Sequence, residues 1–466
     1  MVYLYRLSYT VLFWAMLMMA NAPVSAEEAG GDLVPLVVNL LNDKDKDVRS
    51  LGLEQVRTEA KGAAATKEFA AQLPKLPADG QVGLLSALAD RGDAAARPAV
   101  LELLEKSRDA AVRVAAISAL GVLGQQEDLA LLMPLLVCDS QAEKAAARKS
   151  LGQLRGDAVA KAMAAELKQQ GTAPLRVALI EVLAIRRARD VLAEILPCAA
   201  DADPAVRAAA MNALGQLAAA EHLAGMIQGV LTAKSGSERD AAEKAVALVC
   251  GRIPDESKRE ETLLALIDQV PTSDRSHLLP MLGRVGGTAA LARIEPAVAD
   301  SDPQMHAIGM RAICNWPDAS IAARLVELAQ TDPHAEHKSL AVGAIIRIAP
   351  LPDKRTAAER LSLLTKAMSL CSKDSQRNQV LKRASAIRIV ESLRFLAPYL
   401  EQPAYAQQAC ESVVELAHHR DLREPNKAEF HKMLDKVIQT SQDATVKDRA
   451  NRYKNNQTWV RPKAEN

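Results

Sequence analysis

One short pattern returns along this chain and limits what it can fold into. An acidic turn residue is followed three positions later by a Val-Arg pair. The copies read Asp45-Lys46-Asp47-Val48-Arg49, Asp109-Ala110-Ala111-Val112-Arg113 and Asp203-Pro204-Ala205-Val206-Arg207. Arg148, Arg176 and Arg239 hold comparable places in weaker copies. The steps between successive arginines are 64, 35, 28, 31 and 32 residues, and the first of these spans two periods. Asp302-Pro303 and Asp332-Pro333 mark the same turn without the Val-Arg pair. Behind each pair runs an alanine- and leucine-rich stretch with a small residue near its end, as from Ala115 to Gly121 and from Ala208 to Gly215.

These residue types have local reasons. Aspartate accepts backbone N–H groups at a helix N-cap, and proline fits the first helical turn. The carboxylate also complements the positive end of the helix dipole. Apolar residues spaced by three and four form one buried stripe, expected at Leu131, Pro134, Leu135 and Cys138. A hairpin of two such helices cannot bury its own stripe, so copies must stack on it. The composition agrees. Aromatic residues make up only 3% of the 466, and between residues 27 and 394 they are Phe69 and Trp316 alone. A large single core leans on aromatic bulk, whereas alanine and leucine suit thin, closely packed helix pairs.

The three Asp-led Val-Arg copies, each followed by its alanine-rich helix, resemble the HEAT-repeat family in its short bacterial form, also described as lyase-type repeats. The resemblance is strong over about residues 33–250 and continues more diffusely to about 455. It implies an all-α fold, an α-solenoid of about 13 antiparallel hairpins. Their first helices should begin near residues 33, 63, 94, 127, 157, 189, 221, 258, 287, 318, 354, 387 and 424. It also implies a concave surface lined by the second helices, where a protein or peptide partner binds. The ladder arginines Arg49, Arg113 and Arg207 are read as structural, paired with turn carboxylates.

The N-terminus reads as a targeting segment. Arg6 precedes the apolar run Val11 to Ala20, and Val24 and Ala26 fit the small-residue cleavage pattern ahead of Glu27. The run is short for a membrane span of about 20 residues. The expected organisation is a signal peptide over 1–26, an acidic repeat array over 27–352, basic helical repeats continuous with it over 353–456, and a disordered tail over 457–466. The expected location is periplasmic or extracellular, with an uncleaved signal anchor as the competing reading.

Six cysteines in an exported chain invite disulfides. Cys138, Cys198, Cys250 and Cys314 lie about two repeats from one another, or about 20 Å along a stack, whereas a disulfide needs Cα atoms within about 7 Å. Cys371 and Cys410 fall in adjacent repeats and leave that pair open. Asp332, His334, Glu336 and His337 form the one near-cluster of metal-ligating types. Without a third soft ligand nearby, they read as an exposed capping turn, and no metal or cofactor is expected. His418 and His419 point to different helix faces.

Nucleophile-elbow, phosphate-loop, zinc-protease and dinucleotide signatures do not occur. Gly283-Arg284-Val285-Gly286-Gly287 reads as a helix terminus, where glycine caps the last turn. Some HEAT-like proteins act on bilins or damaged bases, but export fits neither, and scarce aromatics argue against nucleic acid. A non-enzymatic exported scaffold is therefore the leading expectation. An envelope enzyme or cofactor-binding accessory protein with a pocket in the superhelix is the alternative, and self-assembly between acidic and basic ends a third.

Charge is balanced overall, with 58 Lys+Arg against 57 Asp+Glu, but not locally. Residues 27–352 carry 36 basic and 43 acidic side chains, and residues 353–466 carry 21 and 14. Arg377, Lys382, Arg383, Arg388 and Arg394 lead the basic excess, opposed locally by Glu391. Phe395, Tyr399, Tyr405, Phe430, Tyr453 and Trp459 lie in the same region. These residues form either a solvated face with a larger-residue capping repeat, or a docking face for an anionic envelope surface or acidic partner.

Overall fold

The computed structural model describes residues 26–460, apart from 157 and 170, and the side chains from residue 33 onward. The expected signal peptide lies outside the described residues except for Ala26, as do residues 461–466 of the expected tail. Every regular element among the described residues is helical. The helices pair into thirteen successive hairpins, six up to Leu217 and seven from Ala218 onward, and these two groups form separate compact units. Residue 352, where the charge changes sign, lies inside the second unit, and the hairpins on either side of it pack on each other.

Acidic turns cap the second helix of several pairs. Asp45 accepts from the Asp47 N–H at 2.8 Å, Asp109 from Ala111 and Val112 at 2.9 and 3.0 Å, and Asp302 from Gln304 at 2.7 Å. First helices are less regular. Between Leu129 and Val137 an α-helical turn gives way to a 3-10 turn at Pro134, whose missing N–H cannot continue the ladder. The break moves the buried stripe: Leu129, Leu132 and Leu136 face the core, and Leu131 is exposed. The expected stripe through Leu131, Pro134, Leu135 and Cys138 assumed an unbroken helix and is corrected accordingly.

Within each unit the second helices pack on one another at every step, more closely than the first helices do. Small residues make this approach feasible. A Cβ on Gly121 would stand 2.8 Å from the Ser150 Cα, and one on Gly283 would stand 1.9 Å from the Ala312 carbonyl oxygen, both inside contact distance. The Gly283 helix, Leu279–Val285, ends on Gly286 at φ 74°, as its glycine cluster implied.

Arginines tie the layer together at both ends. Near the helix N-termini, Arg113 donates to the Leu104 carbonyl at 2.9 Å and Arg207 to the Asp201 and Ala202 carbonyls at 2.8 and 2.9 Å. Near the C-termini, Arg186 donates to the Leu151 and Leu154 carbonyls at 2.7 and 2.8 Å, and Arg347 to the Cys314 and Trp316 carbonyls at 3.0 and 2.7 Å. These carbonyls end the preceding helices and lack helical partners, so a guanidinium satisfies them and complements the dipole. The six cysteines are free thiols, buried except for half-buried Cys138.

Candidate functional site

Arg49 and Arg113 each bond a carbonyl of their own hairpin and a carboxylate of the next. Arg49 bonds the Asp43 and Lys44 carbonyls at 3.1 and 3.0 Å and reaches Asp79 of the next hairpin at 2.9 Å. Arg113 grips Glu143 with two parallel bonds of 2.7 and 3.0 Å. That pairing holds the Glu143 carboxyl below its ordinary range. Arg176 pairs with Asp201 in the same way.

The five basic residues of the C-terminal region divide into two kinds. Arg377 is a further ladder rung, donating to the Cys371 carbonyl at 2.8 Å and to Asp374 at 2.8 Å. Arg394 forms a two-bond pair with Glu429 of the next hairpin at 2.9 and 2.7 Å, an opposing charge that sequence adjacency did not reveal. Lys382, Arg383 and Arg388 are exposed. The aromatic residues are likewise divided: Phe430 and Tyr453 are buried, and Phe395, Tyr399 and Tyr405 form a chain of rings with centroids 5.7 and 6.0 Å apart. Trp459 lies 4.9 Å from the Arg449 guanidinium.

Recesses between hairpins are shallow grooves. One of about 440 Å³ is lined by Arg49, Asp79 and Asp109 among others. Three of its ionisable groups are engaged: Arg49 and Asp79 bond each other, and Asp109 caps its helix. A denser charge cluster spans three second helices of the second unit. Glu243 is fully buried and accepts from Arg311 at 2.8 Å through both oxygens and from Arg284 at 3.3 Å. Burial pushes its carboxyl upward, against the pull of both guanidiniums. The arrangement is a clamp between helices.

A second cluster was only half visible in the sequence. Asp332, His334 and His337 are joined by His306, and their ligand atoms lie within 4.8 Å of one another. His306 comes four residues after the N-cap Asp302, the place Arg113 and Arg207 hold after Asp109 and Asp203. It behaves as a rung: Nδ1 lies 2.7 Å from the Val298 carbonyl and Nε2 lies 3.1 Å from Asp332 Oδ2. Nδ1 of His337 and of His334 stand 3.5 and 3.6 Å from Asp332 Oδ1. Asp332 is only 3% exposed, so the expected exposed capping turn is corrected at that residue. Glu336, counted with the turn, is exposed and takes no part. The signal that could have found His306 was the Asp302-Pro303 turn, whose Val-Arg pair is missing because a histidine replaces the arginine. Cys314 is buried nearby with its thiol pushed up to about 12, chiefly by burial, which disfavours a thiolate.

A family model described as HEAT repeats matches residues 67–152. A comparison with curated protein sequences finds no match. Among solved structures, the chain is similar to the karyopherin Kap121p bound to the SUMO protease Ulp1p, at 12% identity and TM-score 0.48, over 95% of this chain and 54% of that one. It therefore spans about half the length of that karyopherin. A homology model of the full-length AP-3 complex aligns at 14% identity and TM-score 0.38, over 93% and 87%. The complex of CpcE and CpcF of phycocyanin lyase from Nostoc aligns at 17% identity and TM-score 0.26, over 54% and 97%.

Proposed function

We propose, from a chain that carries HEAT repeats, that the protein is a non-enzymatic exported scaffold binding a protein or peptide partner along its second helices. The carrying observation is the placement of exposed apolar side chains. Leu51 and Leu248 are each 61% exposed, and both stand on second helices together with exposed Ile185 and Leu340. Leu51 and Leu340 come six residues after their N-caps and Ile185 thirteen, one heptad later, so the three share a helix face. Exposed apolar side chains also occur on first helices, at Leu36, Leu131 and Val137, less exposed than Leu51, Ile185 and Leu248 but comparable with Leu340.

Several features support this reading. Within each unit the second helices pack more closely than the first, which supports reading their layer as the concave, partner-binding side. In the groove beside Arg49, Asp79 and Asp109 the acidic groups are held in ion-pair and capping roles, which supports a structural rather than a catalytic use. The leader-like pattern of residues 1–26 supports export to the periplasm or beyond. No helix among the described residues is long and apolar enough to cross a membrane. Exposed Lys382, Arg383 and Arg388 supply a secondary anionic contact at the envelope, weakened at high salt.

Photocrosslinking residues placed at Leu51, Leu248 and Leu340, with Leu36 and Leu131 as controls, test the proposal in the producing cell. Adducts to one protein partner from the second-helix positions are expected. Equal adducts from the control positions would defeat the assignment of binding to the second helices. The alternative, an enzyme or cofactor-binding accessory protein, would be favoured by a small molecule co-purifying in stoichiometric amount.

A further inference from the structure

We infer that His306, Asp332, His334 and His337 form a binding site for one divalent zinc ion, which links the second helices of the ninth and tenth hairpins. The argument begins with a proton. Val298 O is a carbonyl and can only accept, so His306 Nδ1 must carry the hydrogen in the 2.7 Å bond between them. A neutral ring then presents a lone pair at Nε2, aimed at the Asp332 carboxylate 3.1 Å away. Two electron-rich atoms at that distance share either a proton or a metal ion. The backbone bond at Nδ1 is also what holds a metal-binding histidine in the correct tautomer and orientation.

The other ligands converge on the same carboxylate. Asp332 is fixed by burial and by the His334 N–H, which donates to its Oδ1 at 2.8 Å. His337 Nδ1 is buried without a hydrogen-bond partner, which is the state of a ring nitrogen reserved for a metal. His306 Nε2 lies 3.1 Å from Asp332 Oδ2, and Nδ1 of His337 and of His334 lie 3.5 and 3.6 Å from Oδ1, beyond ordinary hydrogen-bond length. A tetrahedron with zinc–ligand bonds of about 2.0 Å has edges of about 3.3 Å, and the four ligand atoms, all within 4.8 Å of one another, need only draw together to reach it. Three neutral imidazoles and one carboxylate suit zinc better than the oxygen-seeking calcium or magnesium. His334, 53% exposed in its side chain, closes the site from the solvent side. With four protein ligands the site is structural, and zinc replaces the permanent charge that an arginine brings to the other rungs.

Tag-free protein stripped with chelator and titrated with zinc chloride against a chromophoric competitor tests this. One equivalent should bind, cobalt(II) in its place should give the visible bands of a tetrahedral site, and zinc should raise the melting temperature. His306→Arg restores an ordinary rung, so it should stay folded and lose the binding. His334→Gln, at a solvent-facing position that folding does not need, should weaken zinc by about tenfold or more. His222→Gln, remote in sequence, should change nothing. Absence of stoichiometric zinc in the wild type would leave a protonated His306 as the only cation and overturn the site. Unchanged affinity in both His306→Arg and His334→Gln would overturn it as well.

Discussion

The rung at Arg113 and the rung at His306 hold the same place in the repeat and solve the same problem differently. In the first unit a guanidinium bonds a carbonyl of its own hairpin and closes on Glu143 with two bonds, so the pair is complete. In the second unit an imidazole bonds Val298 and meets Asp332 with one nitrogen, and the remaining carboxylate oxygen faces two more rings. A guanidinium stays charged at any working pH and fills its partner's coordination. An imidazole does neither, so the His306 rung is open to a ligand where the arginine rung is closed. The repeat thus tolerates a change of chemistry at a ladder position while keeping its geometry.

The largest expected effect belongs to a site where permanent charge is most enclosed. Glu243→Ala leaves Arg284 and Arg311 with Asp240 as their remaining carboxylate and should cost about 3 kcal/mol, the lower end for a broken buried pair, read by denaturant unfolding. A loss under about 1 kcal/mol would mean that the clamp behaves as a surface pair. Arg113→Ala comes next, at about 2 kcal/mol, because it strands partly buried Glu143 and the Leu104 carbonyl. Arg113→Lys should recover only part of this, since an ammonium cannot make both bonds to the carboxylate. Should either change reduce partner binding and leave stability untouched, the arginine would be a ligand-binding residue.

Acid sharpens the same contrast. The Glu143 carboxyl is lowered, mainly by its bond to Arg113. A lowered carboxyl stabilises the folded state above its ordinary value, about pH 4.3, and loses that contribution as pH falls through the depressed value. Melting curves should therefore show a loss below about pH 4.3 that is smaller in Arg113→Ala. The smallest effect is expected at the exposed leucines. Leu248→Ser should shift stability by no more than about 0.5 kcal/mol while reducing crosslinking to the partner, and a larger destabilisation would place Leu248 in the packing.

Much of the fold was legible because its causes are local. Asp-led caps, alanine runs and small residues near helix ends set the period, and the observed first helices begin close to the expected positions, for example at Ala63, Ala94, Arg189 and Thr288. Where a local signal was misread, a proline was responsible: Pro134 interrupts a first helix and rotates its buried face. The basic C-terminal face was legible as composition but not as a surface. Arg377 turned out to be a rung, and Arg394 meets Glu429, which lies 35 residues away.

Periodicity, capping and the alanine-leucine economy of this chain determine by themselves that it folds as stacked helical hairpins, since each depends on residues only a few positions apart. Which side chains meet across hairpins was decided by tertiary structure alone. His306 and Asp332 are 26 residues apart, and Glu243 and Arg311 are 68 apart. Contacts at those separations depend on how far each helix is rotated about its axis, and that rotation is set by packing against the next repeat.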